Sequence, residues 1–584
     1  MDTGGTFTDV VASDGRVVKL LSTPDDPALA VAVGVAQVGR ADVLTHGTTV
    51  ATNALLERRG GEVALFATEG QADIIEIARQ VRPSLYDQWS DRPEPLVSRD
   101  LRFEVVGRLD ASGTEIVAPG PVQLPDRVDA VAICLLHADL NPAHERRLGA
   151  IVRQAGLDAT LSSEVSPEFR EYERTVTTTA NAYLRKPCRP YLLGLARLAG
   201  EVFVITSAGG LVPLADAAER PVALLLSGPA GGVLAASAAA VAAGYPDAVT
   251  FDMGGTSTDV CLLRGGRPEP ASQRTVAGLP IRMPSLDVHT IGAGGGSIAR
   301  IDPGGALVVG PASAGADPGP VCYGRGGTHP TVTDADLVAG RIRPDDGLPG
   351  LQQLDVTAAK TALDEAAVTP EGVISVVDAN MVRAVRRVSV ERGVDARRLA
   401  LVAFGGAGPL HACALADDLG MPAVVVPPRA GVLSAAGILA APRQVDLVRS
   451  WPESSDHDGA NRARLQLADE AARQLGDGAI VETFLDCRYA GQSHELTVPD
   501  IESFEPEHQR RNGFARPGSP IEVVALRAAA RLASPVRLAD LPDPGNRTGV
   551  VRGPAVVSEP DCTIWVPKGW TAAVGGGGAW LLTR

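Results

Sequence analysis

The chain has 584 residues, 45% hydrophobic and 21% charged, which is ordinary globular usage, and its 64 glycines and 44 prolines imply many tight turns. That length exceeds what one hydrophobic core fills, so two or three domains are expected. A formal charge of -15 without a sizeable Lys/Arg run excludes a nucleic-acid surface, and apolar stretches such as Val222 to Leu226 stop well short of the ~20 residues a membrane span needs.

In chain order, the first feature is Asp2-Thr-Gly-Gly-Thr-Phe-Thr-Asp9, followed by Val10 to Ala12, a turn over Ser13 to Arg16, and Val17 to Leu21. This pattern predicts a β-hairpin. Apolar runs over Ala130 to Leu136 and Val202 to Ile205 predict strands, with a helix from about Pro142 to Ala155 after the first. A buried strand, Ala248 to Phe251, then leads into Asp252-Met-Gly-Gly-Thr-Ser-Thr-Asp259, which repeats the opening pattern 250 positions on and again precedes a hairpin. Met381, Ala384, Val385 and Val388 mark an amphipathic helix before a strand at Leu399 to Phe404; a helix over Leu410 to Leu419 and a strand at Ala423 to Val426 follow. This alternation indicates an α/β architecture with largely parallel sheets. The polar stretch from about Ser450 to Asp477 reads as a boundary before a strand-rich tail containing Glu482 to Tyr489, Ile521 to Leu532 and Pro554 to Pro567.

A short Asp-x-Gly-Gly-Thr turn lets backbone amides approach phosphate oxygens, because glycine has no side chain in the way and tolerates positive φ. The carboxylate is not a phosphate ligand; its tasks would be to hold waters around Mg²⁺ or to orient an attacking group. Two copies at lobe-like spacing favour phosphate binding over a pair of structural hairpins. The turn Phe404-Gly-Gly-Ala-Gly-Pro409 lies between a strand and a helix, where it would admit a nucleoside against backbone. The loop Gly292 to Ser297, with four glycines, is a further candidate for close backbone approach. His289, His329 and His411 have no metal-ligand spacing, and Asp317 and Asp334 read as polar supports of a loop. Seven cysteines without a C-x-x-C pair indicate reduced structural thiols in a cytoplasmic protein.

The order phosphate, phosphate, adenosine resembles the actin/Hsp70/hexokinase ATPase superfamily. The wording narrows it: Thr45-His-Gly-Thr-Thr-Val-Ala-Thr-Asn-Ala-Leu55, Ser227-Gly-Pro-Ala-Gly-Gly232, Ile291-Gly-Ala-Gly-Gly-Gly-Ser297, Gly-Ala-Asp-Pro-Gly-Pro320 and Val390-Glu-Arg-Gly393 resemble the hydantoinase A/oxoprolinase family from Asp2 to about Ala440. Arg488-Tyr-Ala-Gly-Gln-Ser-His-Glu-Leu496 and Gly553-Pro-Ala-Val-Val557 extend the resemblance more weakly. It implies a two-lobed, actin-like (ribonuclease H-like) fold divided at 1–185, 186–449 and a strand-rich 450–584. It further implies an A subunit that uses ATP and Mg²⁺ to phosphorylate the carbonyl of a cyclic amide or ketone, with a B-type subunit completing hydrolysis or carboxylation in a homo- or hetero-oligomer.

Carried over residue by residue, Asp2, Gly4, Gly5 and Thr6 form the first phosphate loop, and Asp252, Gly254, Gly255 and Thr256 the second. Gly405, Gly406 and Gly408 face the nucleoside, Thr45, Thr48 and Thr49 meet the substrate, and His46 donates to the carbonyl or carries a proton. Asp2 and Asp252 serve the metal through water. The family presents a strand ending at the first Asp, whereas Asp2 here follows Met1, so the chain is expected to lack a few upstream β-forming residues. A small-molecule kinase of the same superfamily is the alternative enzyme, and an ATP-driven chaperone or activator the non-enzyme alternative; neither a peptide-binding module nor a cluster-binding cysteine pair is visible.

Overall fold

Short runs of β-branched and aliphatic residues pair into three main sheets in the computed structural model, which describes residues 1–23, 26–39, 41–346, 353–542, 545 and 547–584. The first lobe is built on a ten-stranded sheet in which Ala199–Ile205, Ala41–Thr48, Asp2–Thr3, Phe7–Val11 and Val17–Leu21 are consecutive neighbours. The second is built on a nine-stranded sheet with Thr258–Arg264, Ala248–Met253, Ala400–Phe404 and Val424–Val426 side by side. A parallel sheet of Asp158–Leu161, Ala130–Cys134, Val63–Thr68 and Arg102–Val105 flanks the first lobe. Each lobe has its own apolar core.

Helices Gly228–Ala242 and Leu433–Ala440 cross where glycines permit backbone contact: a Cβ on Gly437 would lie 1.8 Å from the Gly231 carbonyl oxygen, and one on Gly231 would lie 2.6 Å from that of Ser434. Among the described residues no helix is long and apolar enough to cross a membrane.

Two of the expected boundaries need correction. The division at 185 falls inside the helix Glu171–Leu195, and the next strand, Ala199–Ile205, pairs in parallel with Ala41–Thr48, so the first sheet continues past it. The stretch taken as a boundary after Ser450 holds a 19-residue helix, His457–Leu475. The tail has a small core of its own around Tyr489 and Phe504, yet its strands extend both lobes. Ile521–Leu532 pairs with Arg443–Ser450 in the first sheet, while Trp580–Thr583 pairs with Val424–Val426 in the second. Buried charges reinforce the first junction, with Glu168 accepting from Arg282 at 2.8 Å and from Arg527 at 2.6 Å.

The pairing expected to be missing at the first Asp is made by a two-residue strand. Asp2 pairs with Asp9 on one side and Gly47 on the other; the Met1 amino group donates to the Thr45 carbonyl at 2.8 Å, and the Gly47 amide donates to the Met1 carbonyl at 2.9 Å.

Candidate functional site

The two repeated segments fold alike. Asp2 pairs with Asp9 and Thr3 with Thr8 in the first hairpin, as Asp252 pairs with Asp259 and Met253 with Thr258 in the second. Directly opposite residues of an antiparallel pair share one face, so each hairpin carries two adjacent carboxylates below a glycine tip. The tips close with the same bond, Gly4 amide to Phe7 carbonyl at 3.0 Å and Gly254 amide to Ser257 carbonyl at 3.1 Å. They also face each other: a Cβ on Gly255 would lie 3.1 Å from Thr6 Oγ1, and one on Gly5 would lie 4.0 Å from Thr256 Oγ1.

A cleft of about 480 Å³ opens here, lined by both tips and by Asp2, Asp9, Asp252 and Asp259. Burial, and then the charge of Asp9, pushes Asp2 up to about 7. Burial, followed by Asp259 and Asp2, pushes Asp252 up to about 8, and burial pushes Asp259 up to about 6. Among the described residues, an ion pair is made within the first hairpin, whereas the Arg274 guanidinium acts on Asp259 of the second without contact. Lys19 Nζ lies 3.1 Å from Asp9, with both side chains largely buried.

These carboxylates suit a divalent cation held through water and phosphate oxygens. Asp2 Oδ1 and Thr6 Oγ1 are buried without a hydrogen-bond partner. Among the described residues no three His, Cys, Asp or Glu side chains converge to ligate an ion by themselves. Such an ion would offset the burial that raises the pKa values of these acids, and the like charges that add to it at Asp2 and Asp252.

The adenosine-type turn reaches the same cleft through Gly405, Gly406 and Ala407. Gly405 has φ 80° and passes so near the second hairpin that a Cβ there would lie 2.5 Å from both Asp252 Oδ1 and the Met253 carbonyl oxygen; only glycine fits. Beyond it, Tyr323, Ile342, Leu354 and Leu410 form an apolar wall, and Trp565 packs behind that cluster. The loop Gly292 to Ser297 supports the second tip from outside. Gly295 and Gly296 amides donate to the Gly254 and Gly255 carbonyls at 2.9 and 2.6 Å, and a Cβ on Gly294 would come within 2.7 Å of the Gly254 carbonyl oxygen.

Of the residues expected at the site, Asp2, Gly4, Gly5, Thr6, Thr49, Asp252, Gly254, Gly255, Thr256, Gly405 and Gly406 line the cleft. Four do not. His46 is fully buried, shares a hydrogen bond with Tyr191 Oη at 2.7 Å, is pushed down to about 3 by burial, and does not line the cleft. Gly408 opens the helix Gly408–Leu419 against the Phe251 carbonyl, 3.3 Å from where its Cβ would be. Thr45 accepts the Met1 amino group through its carbonyl, and the Thr48 hydroxyl accepts from the Val50 amide.

Other residues enter without having been singled out. Asp9 and Asp259 are the last letter of the repeated pattern, so the repeat itself could have flagged them. Lys19 lies on the strand after the first hairpin and also donates to the Gly431 carbonyl at 2.9 Å, while the Gly431 amide donates to Asp561 at 2.7 Å. Asp561 belongs to the turn Ser558 to Thr563, which brings the C-terminal tail to the rim of the cleft. Nothing local in the sequence signals that approach. His411 is bonded to Asp378 at 2.7 Å and lies 3.2 Å from Asp336. Burial opposes its charge, but the two carboxylates outweigh burial and hold it up at about 10. Asp334 accepts from the Cys322 and Thr331 amides, as a loop support should.

Residues 174–446 match the family described as Hydantoinase/oxoprolinase, and residues 1–156 match the Hydantoinase/oxoprolinase N-terminal region. The chain is 34% identical to the caprolactamase subunit alpha of Pseudomonas jessenii, over 100% of this chain and 98% of that one. It is 35% identical to the acetophenone carboxylase gamma subunit of Aromatoleum aromaticum, over 75% of this chain and 67% of that one. The crystal structure of ATP-dependent caprolactamase from Pseudomonas jessenii superimposes with a TM-score of 0.84 at 33% identity, covering 99% of each chain. With its two lobes, its paired glycine hairpins and this extent of similarity, the chain belongs to the hydantoinase/oxoprolinase family and has that family's actin-like α/β fold.

Proposed function

We propose that this chain uses ATP and Mg²⁺ to phosphorylate the carbonyl oxygen of a cyclic amide or ketone, and that a B-type subunit completes hydrolysis or carboxylation. The observation that carries this reading is the convergence of both hairpin tips, the Gly405–Gly406 turn and the wall around Thr49 on one cleft. Relatives whose names specify a caprolactamase and an acetophenone carboxylase support the carbonyl as acceptor, and both are named as subunits. Seven buried, unbridged cysteines support a cytoplasmic location.

In this reading the amides of Gly5 and Thr6 and of Gly255 to Ser257 grip the polyphosphate from opposite sides, and the apolar wall around Tyr323 and Leu410 takes the base. When bound, Mg²⁺ neutralises charge on the phosphates. Asp2 and Asp252 orient its waters. The bond from the terminal phosphorus to the bridging oxygen of ATP breaks as a bond to the carbonyl oxygen forms, and ADP departs. An amide oxygen is a poor leaving group, whereas a phosphate is a good one. The ring carbon thereby becomes open to attack by water on the partner; in a lactam the C–N bond of the tetrahedral centre then breaks, the nitrogen leaving as the amine, and hydrolysis of the resulting acyl phosphate releases phosphate. Most of the barrier lowering comes from positioning and charge neutralisation.

The test is release of ADP on addition of cyclic amides and ketones, with and without the subunit that co-purifies from the native source. Ring-dependent ADP release that yields the opened or carboxylated product only with the second subunit is expected. Complete lactam hydrolysis by this chain alone would refute the need for a partner. A stable phosphorylated product released without one would favour the kinase alternative.

A further inference from the structure

The part of the cleft left over once phosphates and nucleoside are accounted for is a wall built from two segments. Thr49 opens the short helix Val50–Leu56, and its hydroxyl donates to the Thr3 carbonyl at 3.4 Å, which attaches this wall to the first hairpin. The second segment begins at Leu226, whose amide donates to Thr52 Oγ1 at 2.9 Å. Leu226 is held at φ 59°, a conformation that costs a branched aliphatic residue energy and persists only where the surroundings impose it. A Cβ on Gly228 would lie 3.8 Å from the Thr49 methyl carbon, so the two segments close on each other.

The wall is lined by Thr49, Thr52, Asn53, Leu56, Leu226 and Pro229, none of which carries a charge. The nearby Arg58 donates to the Glu94 carbonyl at 3.0 Å, away from the ring wall's hydroxyls and amide. Among the described residues the ionisable side chains lining the whole cleft are six acids, Asp2, Asp9, Asp252, Asp259, Glu559 and Asp561, and one ammonium, Lys19. That ammonium is already engaged by Asp9 and by the Gly431 carbonyl. A substrate bearing its own carboxylate would therefore enter beside a nucleotide polyanion and a row of acids, with no side-chain cation of the wall to receive it.

We infer that this wall is the ring subsite and that it takes an uncharged ring, a simple lactam or cyclic ketone, and rejects rings bearing a carboxylate. Thr49, Thr52 and Asn53 offer hydrogen bonds to the carbonyl and ring nitrogen, while Leu56, Leu226 and Pro229 cover the methylenes. The inference rests on the proposed carbonyl phosphorylation and narrows its substrate class.

Three rings of one size test it: 2-pyrrolidone, 5-oxoproline, and 5-oxoprolinamide, which replaces the carboxylate with a neutral group of similar shape. The protein is purified from its native source with any subunit that accompanies it, and ADP release is measured against concentration of each ring. The two neutral rings are expected to have kcat/KM at least about tenfold above that of 5-oxoproline, the minimum that uncompensated like-charge placement imposes. Placing a cation at the rim by Leu56→Arg should shrink that ratio. Turnover of 5-oxoproline equal to or better than that of 5-oxoprolinamide would overturn the inference and leave the proposed function standing. No response to any of the three rings, to larger lactams or to ketones would overturn both.

Discussion

The two phosphate hairpins share a sequence pattern and a strand register but differ in their electrostatics. In the first, Lys19 lies 3.1 Å from Asp9, so one carboxylate of the pair has a cation of its own. In the second, Asp259 accepts a hydrogen bond from Thr290 at 2.5 Å, and Asp252 accepts one from Ser434 at 3.3 Å; both donors are neutral hydroxyls. Burial, followed by the charges of Asp259 and Asp2, makes Asp252 the most strongly raised of the acids with a stated value, at about 8, against about 7 for Asp2 and about 6 for Asp259. A repeated motif thus conveys shape more faithfully than charge. The second hairpin is the more dependent on what binds to it.

Removing the uncompensated carboxylate should have the largest effect. Asp252→Asn is expected to lower ring-dependent ATP turnover about a hundredfold or more, the scale seen when one preorganised electrostatic group is lost. It should at the same time raise the thermal midpoint of the ligand-free protein at alkaline pH. The sign follows from the folded value of about 8 against an ordinary 3.8: the folded protein holds a proton that the unfolded chain has lost, so stability falls as pH rises through that window, and asparagine removes the fall. Turnover near that of the parent protein would detach Asp252 from the chemistry.

Making the first hairpin resemble the second is the finer perturbation. Lys19→Met leaves Asp9 without its ion-pair partner and should cost roughly 3 kcal/mol of stability at neutral pH, as breaking largely buried pairs does. The loss should shrink as pH falls and Asp9 takes up a proton. Turnover should decline less than in Asp252→Asn, because the backbone amides of the first tip remain in place. Denaturant melts across pH decide the point: a loss independent of pH would mean that Lys19 matters for packing and not for charge.

Much of the site was legible because it is local. The Gly-Gly-Thr tips, the strand into Asp252 and the turn at Gly405 are each written in consecutive residues, and chain order alone suggested that they meet. Periodicity gave the strands at Ala130 and Leu399 and the helix around Met381. It failed at His457–Leu475, whose buried positions are Gly459, Ala460, Leu467 and Ala471, so small residues mute the apolar stripe. The tail looked separate because strand partners are not encoded near the strand: Ile521–Leu532 and Trp580–Thr583 join opposite lobes. The burial of His46 was hidden for a related reason: its motif is conspicuous, but its partner Tyr191 lies 145 residues on. Lys19 sits opposite Asp9 across the expected hairpin, so the strand register could have flagged it, whereas Asp561, distant in sequence from Gly431, left no local mark.

The account depends on both hairpins gripping one polyphosphate, and a crystal structure with Mn²⁺ and a non-hydrolysable ATP analogue tests that most directly. The phosphates should lie between Gly4–Thr6 and Gly254–Ser257, with the anomalous Mn²⁺ peak bridged through water to Asp2 and Asp252 and the base against Tyr323 and Leu410. A nucleotide bound to one hairpin alone, or an ion remote from both carboxylates, would contradict it.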